Sequence, residues 1–371
     1  MVIKMIESRF VEPFDWEPDK ARLKGAMLFE SVDRVPHIDN LIEDKHVEKL
    51  LGRYAGNTLA YGGDPAKGPG GEDLRPMHAD DFIDLCNIIG QDVISFDAGM
   101  WTPLKRENEN GKLVQVYNKS VKNKKDFESL ILDSENEIEK AVKYMKEYKD
   151  AVAKRKSKLG VCPIYGCVMQ TLYEFVVGMD DFMMMVYEDR ELVEEMLEVS
   201  TVHFVKLSHA MVKEGMDFLF LGDDVAFKTG TFLPPKIMKE IWTPRIARII
   251  EPAVNASIPV LFHSDGKIDV LVDDLIEMGV NCINPLDPYS IDYRDYKKRY
   301  GKRVALCGNI DIEFPLSKGT PEDVEKDVIE HMEVLKPGYG YVSNSSHSIV
   351  NYIPHENYIA YLNSVHKYGK Y

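Results

Sequence analysis

The stretch P-V-L-F-H-S-D-G, residues 259–266, decides how this chain folds. Its apolar part, residues 260–262, predicts a short strand that is buried on both faces, and Gly266 gives the backbone the freedom to leave that strand. His263 and Asp265 then lie at the carboxyl end of the strand, where α/β proteins bind ligands. Two interpretations stay open here: a site for chemistry, or a core histidine with Asp265 capping the next helix.

Short apolar runs of this kind recur along the chain and are nearly all separated by helix-length segments. The eight runs begin near residues 37, 93, 160, 218, 260, 282, 303 and 340. Eight strands that alternate with helices predict a (β/α)8 TIM barrel. A doubly wound open sheet would alternate as well, but it normally carries a G-x-G-x-x-G motif after its first strand, and this sequence has none. We therefore expect the barrel.

Two additions to the barrel are expected. Residues 17–30 and 41–60 have helical patterns and predict an N-terminal helical extension. Asn110-Gly111 marks a tight turn, so a small hairpin insertion should surround it. Residues 62–71 are too rich in Gly and Pro for regular structure and predict a loop. We treat residues 1–371 as a single domain.

Composition narrows the classes of function. No apolar run approaches the ~20 residues of a membrane span, and residues 1–16 show no signal peptide. The formal net charge of −15 argues against nucleic acid and anionic membranes as partners. The five cysteines have no C-x-x-C spacing and predict neither a disulfide framework nor a zinc ribbon, so a cytoplasmic location fits best.

In a barrel, the residues that follow each strand converge on one mouth. Those residues are Asp39, Asp97, Tyr165, Asp223, Asp224, His263, Asp265, Asn284, Asp287, Cys307, Asn309, Ser346 and His347. Two imidazoles among several carboxylates suit zinc or a similar divalent ion. The same groups would also suit general acid–base chemistry. Cys307 is better explained as a small buried hydrophobe.

Several blocks, in order, resemble the uroporphyrinogen decarboxylase superfamily, which also contains cobalamin-dependent methyltransferases. They are D-R-V-P at 33–36, G-D-D at 222–224 with L-P-P after it, F-H-S-D-G at 262–266, C-G-N-I-D at 307–311, L-S-K-G-T-P-E-D-V at 316–324, S-H-S-I at 346–349 and P-H-E-N at 354–357. The resemblance covers nearly the whole length and also implies a (β/α)8 barrel.

The resemblance favours the methyltransferase branch. Decarboxylases carry R-Q-A-G-R-Y soon after D-R-x-P, and its arginines hold substrate carboxylates; here residues 37–42 read H-I-D-N-L-I. A polyacidic substrate would then face like charges. The methyltransferases carry H-x-C-G and a later G-C-G-I cysteine as zinc ligands. The matching positions here are His263, Asp265 and His347, a harder N/O set suited to polarising an ether or amine donor.

We therefore hypothesise that the chain transfers a methyl group from a small methylated donor, for example a methoxy-aromatic, to a separate corrinoid protein that carries cobalamin. His263, Asp265 and His347 would hold zinc, and Asp97, Asp223 and Asp224 would be catalytic. Asp39, Tyr165, Met169 and Asn309, with the 62–71 loop, would line the substrate site. The alternatives are a metal-free lyase of the decarboxylase type and a non-catalytic binding barrel. A homodimer is also expected.

Overall fold

The computed structural model of the chain describes residues 10–59 and 77–371. The strands within these ranges are β1 (Val93–Gly99), β2 (Leu104–Glu107), β3 (Leu113–Gln115), β4 (Ile131–Leu132), β5 (Gly160–Gly166), β6 (Leu219–Gly222), β7 (Ala226–Phe227), β8 (Gly230–Thr231), β9 (Val260–His263), β10 (Cys282–Asn284), β11 (Ala305–Cys307) and β12 (Tyr341–Val342).

The helices within the same ranges surround the strands and connect most of them. They are α1 (Lys20–Met27), α2 (Asp44–Leu51), α3 (Ala79–Ile89), α4 (Lys124–Glu128), α5 (Ser134–Arg155), α6 (Val168–Thr171), α7 (Met179–Glu188), α8 (Arg190–Lys213), α9 (Pro235–Ile237), α10 (Thr243–Asn255), α11 (Val272–Glu277), α12 (Tyr293–Arg299), α13 (Pro321–Leu335) and α14 (His355–Tyr368), with π-helical segments at Leu172–Val176, Met238–Trp242 and Ile312–Ser317.

A curled sheet of seven strands organises the molecule, in the order β1-β5-β6-β9-β10-β11-β12. Every neighbouring pair in it is parallel. Parallel neighbours need crossover connections, and the intervening helices supply them. Seven of the eight predicted runs are therefore strands of one α/β sheet, in sequence order.

The eighth predicted strand, at residues 37–39, is not a strand in this structure. His37 forms only an isolated parallel bridge with Ser343, just after β12. Its carbonyl also accepts a hydrogen bond from Asp92 N at 3.3 Å, just before β1. The segment thus contacts both edges of the sheet, but the pairing is too short to form a ladder, and Pro36 has no N–H to contribute. The regular sheet has seven strands rather than eight.

Alternate residues of the seven strands point to opposite faces, as the strand period of two requires. One set forms an inner cluster on the concave face, and its strand members include Val93, Cys162, Phe220, Leu261, Cys282, Cys307 and Val342. The other set packs under the helices in a larger outer cluster, with strand members such as Ile94, Tyr165, Leu221, Phe262, Ile283, Leu306 and Tyr341. Because side chains alternate along a strand, the position of a residue in its strand decides whether its side chain lies on the concave face or beneath a helix.

Helix α1 covers the amino end of the concave face. Its residues Leu23, Ala26 and Met27 belong to the inner cluster. Arg22 on the same helix pairs with Asp92, which directly precedes β1, at 2.5 Å. Because α1 occupies the amino end, the carboxyl ends of the strands form the opposite mouth of the sheet.

Sequence patterning predicted some connections and missed others. The hairpin insertion is confirmed, since β2 and β3 pair in antiparallel fashion around a turn with Gly111 at φ +74°. Gly178, whose φ is +102°, separates the π-helical segment Leu172–Val176 from α7. The predicted loop at 62–71 lies outside the described residues. Within the described ranges, no helix has the length and apolarity to cross a membrane.

Candidate metal centre

His263 is the last residue of β9 and lies on the concave side. Leu261, two residues earlier, belongs to the inner cluster, so the strand period places His263 on the same face. The centroid of the imidazole lies 5.9 Å from that of the Phe220 ring. The side chain is 17% exposed, which lets it reach the mouth of the sheet. Of the two interpretations, the structure favours an accessible histidine over one sealed in the core.

Two carboxylates converge on this imidazole. His263 Nε2 lies 3.8 Å from Asp224 Oδ1 and 3.9 Å from Asp265 Oδ1. One ligand atom from each of the three residues lies within 4.8 Å of the others. Both carboxylates are partly exposed, so an ion could enter from solvent. We call Asp224, His263 and Asp265 the mouth triad.

His347 lies beside the mouth triad rather than within it. Its Nε2 is 3.9 Å from Asp265 Oδ2, and its side chain is 51% exposed. Of the predicted metal ligands, the structure thus brings His263 and Asp265 together and leaves His347 next to Asp265 alone. Asp224, predicted as a catalytic acid, occupies the third position of the compact group.

Hydrogen bonds hold the carboxylate of Asp224 in place. Its Oδ1 accepts from the backbone N–H of Asp265 at 2.8 Å, and its Oδ2 accepts from Gln170 Nε2 at 3.0 Å. Gln170 also accepts from Asp224 N at 3.3 Å. These bonds link the segments that follow β5, β6 and β9, so Gln170 after β5 supports a triad whose members come from the ends of β6 and β9.

The backbone after Asp265 requires glycine. Gly266 has φ +80°, and a Cβ there would lie 2.3 Å from the carbonyl oxygen of Ala226. The N–H of Gly266 donates to Asp287 Oδ2 at 3.0 Å. A side chain at this position would push Asp265 away from His263, because both the backbone conformation and the neighbouring carbonyl exclude it.

The electrostatics of Asp265 reflect this crowding. Burial raises the pKa of its carboxyl group, and the imidazole of His263 opposes that shift. The negative charges of Asp224 and Asp287 raise this pKa further, and the imidazole of His347 lowers it. Like charges that are held close together favour a bound cation or a shared proton.

The Nδ1 atom of His263 faces away from the carboxylates. It lies 2.6 Å from Asn284 Oδ1, and the two residues are cross-strand partners on β9 and β10. No role was predicted for Asn284. The alternation of side chains along a strand could have indicated a role. Asn284 ends β10 two residues after the inner-cluster residue Cys282, just as His263 ends β9 two residues after Leu261, so both side chains point to the same face.

The three acids predicted to be catalytic lie around Cys167, just after β5. Burial raises the pKa of the Cys167 thiol well above its usual value, and the charges of Asp223, Asp224 and Asp97 raise it further. β1 and β6 are the two neighbours of β5 in the sheet, so their ends place the three carboxyl groups on either side of the segment that follows β5. Their surroundings nevertheless differ.

Asp97 is a buried carboxyl group near the end of β1. Its Oδ1 accepts from the N–H groups of Gly99 at 2.7 Å and Met100 at 2.8 Å. Burial raises the pKa of Asp97 to about 7, although these two hydrogen bonds lower it. A carboxyl group with such a pKa can both hold and release a proton near neutral pH.

Asp223 is occupied by structural hydrogen bonds. Its carboxylate accepts from the backbone N–H groups of Met169 and Gln170 and from Trp242 Nε1 at 2.8 Å. Burial raises the pKa of Asp223 to about 7. The side chain of Met169 packs in the outer cluster. Both residues hold the start of α6, which corrects the expectation that they meet the substrate directly.

The other residues predicted to bind substrate also turn away from the mouth. Asp39 accepts from Tyr358 Oη at 3.0 Å under α14, and Tyr165 Oη donates to Ser208 Oγ at 2.9 Å on α8. Parity explains both placements, because the preceding residues, 38 and 164, belong to the inner cluster. Asn309 is buried between Leu286 O, at 2.5 Å, and His331 Nε2, at 2.7 Å.

The curled parallel sheet, with its histidine–carboxylate group at the carboxyl ends of the strands, defines an α/β protein of the barrel-like class. A family model described as uroporphyrinogen decarboxylase (URO-D) matches residues 104–368. The chain belongs to this family, and the predicted resemblance is confirmed.

Relatives with two activities match the chain. Methylcobamide:CoM methyltransferase MtaA from Methanosarcina barkeri is 27% identical over 174 residues, which are 46% of this chain and 50% of that protein. Uroporphyrinogen decarboxylase from Methylobacillus flagellatus is 25% identical over 182 residues, 49% of this chain and 50% of that protein. The chain thus spans about half the length of these curated relatives.

A solved structure supports the fold over a longer range. A methyltransferase from Methanosarcina mazei superposes with a TM-score of 0.65 at 16% identity, covering 95% of this chain and 99% of that chain. At this level of sequence identity, the superposition shows that the two chains share a fold.

Proposed function

We propose that this chain is a corrinoid-dependent methyltransferase that moves a methyl group from a small methylated donor to a separate corrinoid protein. The observation that carries the proposal is the convergence of His263 Nε2 with oxygens of Asp224 and Asp265 at the mouth. The name of the Methanosarcina barkeri relative supports corrinoid-linked methyl transfer as the activity.

The outer cluster, which includes residues from Val11 to Val365, supports the proposal of a single domain.

The donor set fits a divalent cation such as zinc. One imidazole nitrogen and two carboxylates are common ligands of zinc and of harder divalent ions. Asp224, His263 and Asp265 would hold the ion, and His347 stands close enough to Asp265 to join them after a side-chain movement. A bound ion would supply Lewis-acid polarisation of the donor atom that carries the methyl group.

The walls of the mouth suit a small apolar donor. Phe220 lies next to His263, and Met100 packs against the inner cluster. An aromatic ring bearing a methoxy group would contact these apolar side chains, with its oxygen directed at the mouth triad. Burial of such a ring contributes most of its binding energy.

Asp97 is the proposed proton source for the leaving group. When the methyl–oxygen bond breaks, both bonding electrons would stay on the oxygen, and the reduced corrinoid of the partner protein would supply the acceptor for the methyl group. Transfer of a proton from the buried Asp97 carboxyl group would then give a neutral hydroxyl product. A pKa of about 7 makes the protonated form available near neutral pH.

A lyase of the decarboxylase type is the second candidate, supported by the Methylobacillus flagellatus relative and by the buried acid Asp97. The positions of the arginines count against a polycarboxylate substrate. Among the described residues, the buried arginines are Arg22 and Arg34. Arg22 pairs with Asp33 and Asp92 at the amino end of the sheet, opposite the mouth.

Metal analysis combined with a methyl-transfer screen tests the proposal. Protein purified without chelator should contain about one divalent ion per chain. With reduced cobalamin as acceptor, it should demethylate at least one compound among methoxy-aromatics, methylamines and methyl thioethers. The H263A variant should lose both the ion and the activity. H209A, which removes an exposed histidine of α8, should lose neither. Methyl transfer by H263A at the wild-type rate would refute the role of the mouth triad.

A further inference from the structure

Three asparagines, of which two are buried and Asn40 is partly exposed, line the concave side below the mouth triad. They are Asn40, Asn284 and Asn344, which come from three separate segments of the chain. An asparagine side chain has a donor end and an acceptor end, so its partners determine its orientation. A chain of such side chains can therefore transmit hydrogen-bond direction from one end to the other.

The direction is set at the backbone carbonyl of Ile38. A carbonyl oxygen can only accept, and Asn344 Nδ2 donates to it. The acceptor end of Asn344 must then face the other way. Its Oδ1 lies 2.8 Å from Asn284 Nδ2, which donates to it.

Asn284 passes this direction on to His263. Its Nδ2 also faces Cys307 O at 3.2 Å, which can only accept, and Cys307 Sγ at 3.3 Å, a weak acceptor. Its Oδ1 must therefore face His263 Nδ1, at 2.6 Å, and it also accepts from Asn40 Nδ2 at 3.3 Å. An acceptor at this distance requires a hydrogen on Nδ1.

We infer that Asn284 is a positioning residue that holds His263 in the Nδ1–H tautomer, with the Nε2 lone pair directed at Asp224 and Asp265. Neutral imidazole carries one hydrogen, so fixing it on Nδ1 leaves Nε2 free. The inference rests on the proposed function only where it treats Nε2 as a metal ligand. The orientation of the ring depends on the asparagine chain alone.

Asn284 is suited to this role because it is buried and makes polar contacts with four residues. If the amide of Asn284 were rotated by half a turn, its Nδ2 donor would face the Nδ1–H donor of His263. Its Oδ1 acceptor would then face the oxygens of Asn344 and Cys307, which are also acceptors. Unpaired buried polar groups are costly, so the observed orientation dominates. Such an outer-shell partner of a ligand histidine typically affects metal affinity by roughly 10–100-fold.

Nitrogen NMR of histidine-labelled protein tests the inference directly. The sample is the full chain, treated with chelator and studied in alkaline buffer, and the H263Q variant assigns the resonances of His263. The ring should show a protonated Nδ1 and an unprotonated Nε2. A protonated Nε2 in the wild-type protein would overturn the inference.

Two substitutions of Asn284 separate positioning from folding. N284D keeps an acceptor beside Nδ1 and should preserve the tautomer. N284A removes the acceptor, so His263 should shift toward a mixture of tautomers, and affinity for Zn²⁺ should fall roughly 10–100-fold. Unchanged His263 shifts in N284A would contradict the inference.

N357A is the matched control for the loss of a buried amide. Asn357 is equally buried and donates to the carbonyls of Leu316 at 2.9 Å and Gly319 at 2.8 Å, so its amide bonds to none of the three asparagines or His263. It should lower thermal stability as N284A does but leave the His263 shifts unchanged. If the wild-type protein shows the expected tautomer and binds no Zn²⁺, the inference holds and the proposed function fails.

Discussion

His37 and His263 both stand beside aspartates, and they differ in depth and in how fully their polar atoms are bonded. His37 Nε2 lies 3.1 Å from Asp39 Oδ2, and both side chains are essentially inaccessible. Asp39 also accepts from Tyr358, and its N–H donates to Gln91 Oε1 at 2.8 Å. His263 lies at longer distances from two partly exposed carboxylates.

The difference shows how location determines the use of the same residue types. A histidine and an aspartate in hydrogen-bond contact under a helix satisfy one another and stabilise the fold. The mouth triad leaves a gap of nearly 4 Å around Nε2, which a hydrogen bond does not fill. The first group is complete as it stands, whereas the second can accept a ligand.

Removal of Asp39 should give the largest effect in this comparison. D39A leaves His37 and Tyr358 without their buried partner, so the free energy of unfolding should fall by about 3–5 kcal/mol. Urea unfolding measures it. D265A, which removes an aspartate from the open group, should change stability by less than about 1 kcal/mol. Equal losses in the two variants would show that the groups do not differ as described.

Affinity for Zn²⁺ should depend on the mouth triad, in contrast to stability, which should depend on the buried pair of His37 and Asp39. D224A removes a member of the mouth triad and should weaken Zn²⁺ binding by about 100-fold or more, because loss of an outer-shell partner alone costs up to that much. H347A should weaken it by no more than about 10-fold, since the His347 imidazole lies beside the mouth triad, 3.9 Å from Asp265, rather than within it. Titration calorimetry measures both. A larger loss in H347A would restore the ligand set first predicted from the sequence.

The smallest expected effect is a change in the pH dependence of stability at Asp97. This residue is buried like Asp39, but its carboxylate accepts hydrogen bonds from the backbone of the residues that follow it. Its pKa of about 7 lies above the usual value of 3.8, so the folded state keeps a proton that the unfolded chain releases. Stability should therefore decline as the pH rises from about 4 to about 7. D97N should remove that decline and raise stability at pH 8 by roughly 1–2 kcal/mol. This is less than the ~4 kcal/mol of three pKa units, because water penetration relaxes buried charges.

The measurement for Asp97 is urea unfolding of both proteins across this pH range. D80N, which alters an exposed aspartate at the start of α3, is the control and should follow the wild-type curve. Parallel curves for D97N and the wild-type protein would show that Asp97 titrates normally.

Sequence patterning predicted most of the fold because strand runs and helix periods are local properties. Seven of eight runs became strands, and the exception, residues 37–39, pairs with segments distant in sequence. The residues nearest the centre of the site, His263 and Asp265, were also predicted, because they follow the apolar run 260–262 and precede Gly266, where the chain can leave the strand.

The remaining site residues depend on information that the sequence carries only indirectly. Asp39 and Tyr165 were placed at the mouth because they end their runs, but Asp39 hydrogen bonds to Tyr358 under α14 and the strand period turns Tyr165 toward α8. Asp224 and Asp223 are adjacent, and only the folded structure shows that Asp224 is partly exposed at the mouth whereas Asp223 is buried. Asn284 has no chemical signature of its own, and its role follows from its register with His263.

The asparagine chain connects the two ends of the polypeptide to the reactive ring. Asn344 and Ile38 are separated by 306 positions, and their hydrogen bond sets the direction that reaches His263. The imidazole can adopt its working state only after the first and last parts of the sheet have met. Contacts of such sequence separation form late and slowly. Zn²⁺ affinity would therefore report, during refolding, the moment at which the two ends of the sheet come together.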